Sequence, residues 1–179
     1  MRIVLFTNRE SALAEALLRD PDTDVVGIAV PSAKCGKFET VYPETRVLPY
    51  SVSENAIADF VKSLKAIRPE TLLTYSFQYV LPEAVLDVAT GVNLHPALLP
   101  KFPGLNPWQE QQRAKVKRGG YTVHCLTETA DRGEILGQAD FEWDESSGLK
   151  ALCDRTLKTC GIPLLMKILK NREPQSSSR

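Results

Sequence analysis

Residues 2–30, RIVLFTNRESALAEALLRDPDTDVVGIAV, run through strand, helix and strand patterns in turn. Residues 2–7 are a short apolar run that ends in turn chemistry, the mark of a buried strand. Residues 11–19 bring Leu13, Ala16 and Leu17 onto one helical face. After the turn Pro21-Asp22-Thr23-Asp24, residues 24–30 form a second apolar run without helical spacing. A strand–helix–strand opening implies a right-handed crossover between parallel strands. The expected fold is therefore α/β, a Rossmann-like, mostly parallel twisted sheet with helices on both faces.

The same reading extends along the chain. Residues 31–43 carry Gly, Lys, Ser and Pro without periodicity and read as irregular. Brief strands are expected at 46–49 and 71–75. Between them, Ile57, Phe60, Val61, Leu64 and Ile67 mark a helix over 53–67. A short helix over 81–88 has Pro82 near its first turn, where proline is tolerated. A further helix is expected over 105–117, with Trp108, Gln111 or Gln112, and Val116 inward, punctuated by Gly119-Gly120. Residues 121–127 and 135–143 suit an antiparallel closing pair. A long helix over 147–170 should be bent or split by Pro163. Residues 1–170 read as one domain, and 171–179, NREPQSSSR, as a flexible C-terminal tail.

Composition excludes whole classes of function. Apolar content is 43% and charged content 25%, as in ordinary globular proteins. Lys plus Arg number 22, equal to Asp plus Glu, so no net charge draws the chain toward nucleic acid or anionic membrane. The basic run Arg113, Lys115, Lys117, Arg118 reads as a solvated helix end. Cys35, Cys125, Cys153 and Cys160 show no CxxC pairing and read as reduced, mostly buried thiols. With two histidines at unrelated spacing and no metal-ligand pattern, no metal is expected. The start is too soon charged for a signal peptide, and no apolar run approaches the roughly 20 residues of a membrane span. A cytoplasmic setting is the expectation.

The polar groups that stand out lie in GVNLHPALLPKFPG, residues 91–104. In a strand, residues two apart share a face, so Asn93 and His95 project together while Val92 and Leu94 pack behind. Pro96 then stops the ladder. An amide and an imidazole at a strand's C-terminal end can both address a developing oxyanion. A second segment, TVHCLTETADRG (residues 122–133), offers His124 within a strand and Asp131 in a loop. Gly133 there is read as giving the backbone freedom to bend. Asp131 is equally compatible with a turn residue, and His124 with a core or supporting histidine.

The string NLHPALLPKFPGLNPW followed by GYTVHCLTETADRGEILGQ resembles the folate-dependent formyltransferase family. That family includes glycinamide ribonucleotide transformylases, methionyl-tRNA formyltransferases and amino-sugar formyltransferases. Its N-x-H-P-x-L-L-P loop, T-V-H strand and D-x-G loop occur here in order, over about a quarter of the chain. The resemblance implies an enzyme that moves a formyl group from 10-formyltetrahydrofolate to a primary amine, with Asn93, His95 and Asp131 as the catalytic trio. His95, if protonated, would stabilise the oxyanion and protonate the leaving nitrogen, with Asp131 favouring that charged form. His124 would support. Val80 and Leu81, with Glu128, Thr129 and Ala130, would line the folate site. A cis peptide is implied at Leu99–Pro100.

Departures from the family pattern narrow the acceptor. The transformylases carry a glycine-rich phosphate turn after the first strand, where this chain has Thr7-Asn8-Arg9-Glu10-Ser11. Asn8, Arg9 and Ser11, with Gly104, are the candidate acceptor-binding residues, and Glu10 would oppose an anion there. No counterpart of the tRNA-holding domain of methionyl-tRNA formyltransferases is expected. The expected partners are a small-molecule amine and folate, with no nucleic acid and no membrane; oligomeric state is unassigned. The alternatives are hydrolysis of formyltetrahydrofolate and a catalytically silent folate- or nucleotide-binding protein.

Overall fold

The computed structural model describes residues 1–146 and 148–172. Strand β1 (Arg2–Phe6) pairs in parallel with β2 (Asp24–Pro31) on one side and β4 (Thr71–Thr74) on the other. Beyond β2 lies β3 (Val47–Tyr50), and beyond β4 lies β5 (Thr90–His95), both still parallel. The last two strands, β6 (Arg118–Cys125) and β7 (Ile135–Glu142), are antiparallel and complete a seven-stranded sheet ordered β3-β2-β1-β4-β5-β6-β7.

Alternation along β1 feeds two cores. Ile3 and Leu5 point to one side and Val4 and Phe6 to the other, and all four are fully buried. A strand buried on both faces must be apolar throughout, which is what 3–6 show. The first core is closed by Leu13 of α1 (Ala12–Arg19) and Phe38 of α2 (Cys35–Val41), and at the far end by Leu152 of α6 (Leu149–Thr156) and Leu165 of α7 (Ile162–Asn171). The second is closed by Phe60 and Leu64 of α3 (Glu54–Ile67) and Val85 of α4 (Glu83–Leu86). Among the described residues no helix is long and apolar enough to cross a membrane.

Three expectations are corrected. Residues read as irregular hold a 3-10 turn (Ser32–Lys34) and α2, because Phe38 and Tyr42, one helical turn apart, bring tilted rings 5.9 Å apart into the first core. Gly119 and Gly120 lie inside β6 rather than ending a helix. A Cβ on Gly119 would sit 2.6 Å from Phe141, and one on Gly120 would sit 2.4 Å from Leu98, so both clear space for packing. Helix α5 (Pro107–Arg113) accordingly stops early, and Lys115 turns the chain at φ +50°. Trp108 and Gln111 are buried as expected, whereas Val116 is only half-buried beyond the helix. The basic run is thus spread over a helix end, a turn and the start of β6.

Pro163 splits the C-terminal helix as expected, through a π-helical turn (Leu157–Gly161) in which the Ile162 N–H reaches the Leu157 carbonyl. The expected start of that helix, Ser147, and residues 173–179 of the expected tail lie outside the described residues. The four cysteines are free, and all are half-buried where mostly buried thiols were expected.

Candidate active site

The sheet switches from parallel to antiparallel at β5, and the polar residues gather at that switch. Thr74 of β4, Asn93 of β5 and His124 of β6 are register partners on a single rung across three strands. His95, Thr122 and Gln138 form a neighbouring rung across β5, β6 and β7. Asn93 and His95, like His124 and Thr122, are two residues apart and so share this face. Val92, Leu94, Tyr121 and Val123 point the other way, into the first core.

The Asn93 carboxamide is fully engaged. The Thr74 hydroxyl donates to Oδ1 at 2.8 Å, while Nδ2 donates to Asp131 Oδ1 at 3.2 Å and lies 3.0 Å from His124 Nε2. The opposite amide orientation would set its oxygen against the Asp131 carboxylate, so the network fixes which end is which. His124 Nδ1 lies 2.9 Å from the Cys125 carbonyl, an acceptor only, so Nδ1 carries a hydrogen. In the neutral ring Nε2 then accepts from Asn93; in the protonated ring it can donate to Asp131, 3.3 Å away.

His95 is 3% exposed, and its Nε2 lies 2.8 Å from the Phe102 carbonyl, which requires a hydrogen on Nε2. Nδ1 faces Asp131 Oδ1 at 3.5 Å. That is long for an imidazolium–carboxylate hydrogen bond and natural for a bare ring nitrogen facing an anion. The pKa agrees: burial pushes His95 below its ordinary value, outweighing the opposing pull of Asp131 and the Phe102 carbonyl. Asp131 does favour the charged form of His95, as expected, but desolvation outweighs it and the resting ring is neutral. Burial pushes the Asp131 carboxyl up, but hydrogen bonding from His124, the charge of His95 and the Gly104 N–H together hold it below the usual carboxylate range. The directions of the two shifts put an ionised Asp131 beside a neutral His95 near neutral pH, and the charge of His95 acts on Asp131 only in acid, once the ring is protonated.

Loop backbone completes the arrangement. Asp131 adopts φ +55°, a left-handed conformation that aspartate tolerates, and its Oδ2 accepts the Gly104 N–H at 2.7 Å. Phe102, whose carbonyl holds His95, also has positive φ, +56°, and Gly104 follows at φ +91°. Leu99–Pro100 is cis. Thr122 donates to the Ala97 carbonyl at 2.6 Å and accepts from the Leu99 N–H at 3.1 Å and from Gln138 Nε2 at 2.9 Å. Gln138 also donates to the Leu99 carbonyl at 2.8 Å. These bonds fasten the proline-rich loop beside His95.

Asn93, His95, Asp131, His124 and Gly104 are thus brought together. No hydrogen bond or ion pair among the described residues joins the rest of the candidate set to this cluster. Val80 is 49% exposed, whereas Leu81 is buried in the second core. Glu128, Thr129 and Ala130 are exposed on the loop leading to Asp131. At the first loop, Asn8 donates its N–H to Ser76 and its side-chain amide to Gln78. Arg9 donates to the Tyr75 hydroxyl at 3.1 Å and lies over that ring. Asn8 Oδ1 and Ser11 Oγ are buried with no partner among the described residues, and Glu10 is paired with Lys37 at 2.7 Å. Among the described residues no three His, Cys, Asp or Glu side chains are grouped to hold a metal ion. Thr74, Thr122, Gln138 and the Phe102 carbonyl were not singled out from sequence. The period-two spacing of Thr122 and His124, matching Asn93 and His95, was the available signal for one of them.

Comparison with known proteins matches residues 1–167 to a family model described as formyl transferase. The methionyl-tRNA formyltransferase of Helicobacter pylori (strain ATCC 700392 / 26695) is 31% identical over 183 residues, covering 96% of this chain and 60% of the relative. The chain thus spans about three-fifths of the length of that relative. Phosphoribosylglycinamide formyltransferase from Bacillus halodurans superposes with a TM-score of 0.80 at 24% identity, covering 99% of this chain and all of that one. A formyltetrahydrofolate deformylase from Pseudomonas syringae pv. tomato str. DC3000 gives 0.78 at 22% identity, covering 94% of this chain and 59% of that one.

Proposed function

The chain belongs to the formyl transferase family, and we propose that it transfers a formyl group from 10-formyltetrahydrofolate to the primary amine of a small metabolite. The observation that carries this reading is the convergence of three nitrogen-bearing side chains, Asn93, His95 and His124, on Asp131 Oδ1 within 3.5 Å. Such a set suits a formyl carbonyl, which needs a hydrogen-bond donor for its oxygen and a base for the incoming amine.

In this reading the amine attacks the formyl carbon, and Asn93 Nδ2 turns its longer-held hydrogen from Asp131 to the developing oxyanion. His95 starts neutral. With Nε2–H held by Phe102, its Nδ1 takes the proton that the attacking amine sheds, and Asp131 stabilises the imidazolium so formed. Nδ1 then returns the proton to the folate nitrogen as the carbon–nitrogen bond breaks. One proton leaves the amine and one reaches the departing nitrogen, so the enzyme ends as it began.

Val80, Leu81, Glu128, Thr129 and Ala130 are proposed to meet the folate, with Val80 and residues 128–130 offering exposed surface and Leu81 its backbone. Asn8, Arg9 and Ser11 are proposed to meet a polar group of the acceptor, which the unpartnered Asn8 Oδ1 and Ser11 Oγ support. The Asn8 and Arg9 backbone N–H groups are already bonded within the protein, so side chains rather than an amide nest would make those contacts. An amino sugar nucleotide or a glycinamide ribonucleotide-like amine remains the proposed acceptor class.

The test is formyl release from a 10-formylfolate analogue followed by absorbance. The amine panel holds glycinamide ribonucleotide, amino-sugar nucleotides and methionyl-tRNA, the last because of the 31% identical relative. Release that depends on one small amine and disappears in His95→Ala is the expected result. Release at equal rate without amine would replace transfer by hydrolysis, and dependence on methionyl-tRNA would replace the small metabolite.

A further inference from the structure

We propose that Thr74 is a positioning residue for Asn93, setting the carboxamide so that its N–H bonds face the reacting carbonyl. This rests on the formyl-transfer reading above, because it presupposes that Asn93 meets the oxyanion. Thr74 is 6% exposed, and parallel pairing of β4 with β5 places it directly opposite Asn93. Register partners in adjacent strands point to the same face, so the hydroxyl arrives beside the amide by construction. Its one hydrogen goes to Asn93 Oδ1 at 2.8 Å, the shortest bond the amide makes.

That bond does two things. The other bonds of the amide, to Asp131 and His124, both leave from Nδ2, the end that must release a hydrogen to the substrate. Once Nδ2 turns the hydrogen held by Asp131 to the oxyanion, Thr74 is the contact that still holds the oxygen end of the amide, with His124 at the nitrogen end. An acceptor oxygen that is itself receiving a hydrogen bond also makes the N–H at the opposite end of the amide a better donor, since bonds in a chain polarise one another. The gain grows as negative charge builds on the substrate, so it is felt in the transition state more than in the bound ground state.

Valine has threonine's shape without the hydroxyl, and serine has the hydroxyl without the methyl. In the full chain, Thr74→Val should lower kcat about tenfold with KM for both substrates within about twofold, and Thr74→Ser should stay within about threefold of wild type. On an Asn93→Ala background, Thr74→Val should have no further effect. The reverse ranking, with valine active and serine impaired, would overturn the proposal in favour of packing. So would a tenfold loss that persists without Asn93. A readout that needs no turnover is the pair of Asn93 side-chain amide signals in a nitrogen–proton correlation spectrum, assigned by their loss in Asn93→Ala. Thr74→Val should shift both and quicken their exchange with water, whereas Thr74→Ser should not. Unchanged signals in Thr74→Val would overturn the proposal even if the wild-type chain proved inert, an outcome that would by itself defeat only the formyl-transfer reading.

Discussion

Replacing Gly133 by alanine should disable the site from a position whose side chain never meets substrate. A Cβ built on Gly133 lies 1.8 Å from the Cys125 carbonyl oxygen and 2.7 Å from its carbon. Both are backbone atoms of β6, so no side chain can swing aside. Opening 1.8 Å to the 3.0 Å that real contacts respect demands a movement of about 1.2 Å between loop and strand. The neighbouring bond from the Cys125 N–H to the Glu134 carbonyl, 2.8 Å, resists that movement and would be lost with it. Asp131 sits two residues upstream and accepts from the Gly104 N–H at 2.7 Å and from Asn93 Nδ2 at 3.2 Å, and such a displacement carries both beyond hydrogen-bonding range. Misplacement by about 1 Å costs on the order of 100-fold in rate, or ~2.7 kcal/mol of transition-state stabilisation. The strain should cost about 1–3 kcal/mol of stability, read as roughly 2–4 °C of melting temperature per kcal/mol. The assay is kcat for amine-dependent formyl transfer beside thermal unfolding. Gly36→Ala, in α2 with nothing within 4 Å of its Cβ, serves as the control. That control should be neutral or gain about 0.5–1 kcal/mol. A Gly133→Ala protein with kcat within about threefold of wild type and an unchanged melting temperature would refute the reasoning.

Four further outcomes are expected. Asn93→Ala should lower kcat by about 10²–10³, the usual loss for one oxyanion donor, and steady-state kinetics showing less than a fivefold loss (about 1 kcal/mol) would remove Asn93 from that role. For His95, burial puts the folded pKa below the ordinary 6.5, so on acidification the unfolded chain takes up the proton first. Its contribution is present above pH 6.5 and is lost as pH falls from there toward the lowered folded value; His95→Gln should flatten that stretch of urea-midpoint against pH. Asp131 is depressed below 3.8, so its contribution is lost only in stronger acid, as pH falls through that lower range. Phe6→Ala should cost about 3–5 kcal/mol in urea unfolding. The ring lies edge-on to Tyr50, Phe60 and Phe77 at 5.5–6.2 Å, and a cost under 1 kcal/mol (roughly one methylene) would deny that cluster its place in the core.

Strand and helix order was legible where pattern lengths were long enough. The buried run at 3–6 and the three-and-four spacing in α3 correspond to elements that pack as read. Helix α2 was not legible, because two aromatic residues one turn apart make too short a period to register. Gly119 and Gly120 read as punctuation because their reason, the approach of Phe141 and Leu98, comes from distant parts of the chain. Gly133 likewise read as a hinge when its role is clearance, while the left-handed turn is taken by Asp131 itself. At the site, Asn93 and His95 were visible from period-two spacing, and resemblance joined Asp131 to them. Thr74 and Gln138 were hidden because only inter-strand register brings them to Asn93 and Thr122. The charge state of His95 escaped for a different reason: sequence names the neighbouring carboxylate but not the depth of burial that outweighs it.

The single rung that joins Thr74, Asn93 and His124 ties chemistry to correct assembly of the sheet. A slip of β6 by one residue would turn His124 to the opposite face and bring Val123 or Cys125 beside Asn93. Strand content and compactness would scarcely change, so circular dichroism and scattering would pass such a molecule as native. Turnover would not. On the proposed mechanism, specific activity after refolding therefore counts the molecules whose strands are in register, and the proposed catalytic cluster serves as a checksum on the folding of three strands gathered from distant parts of the chain.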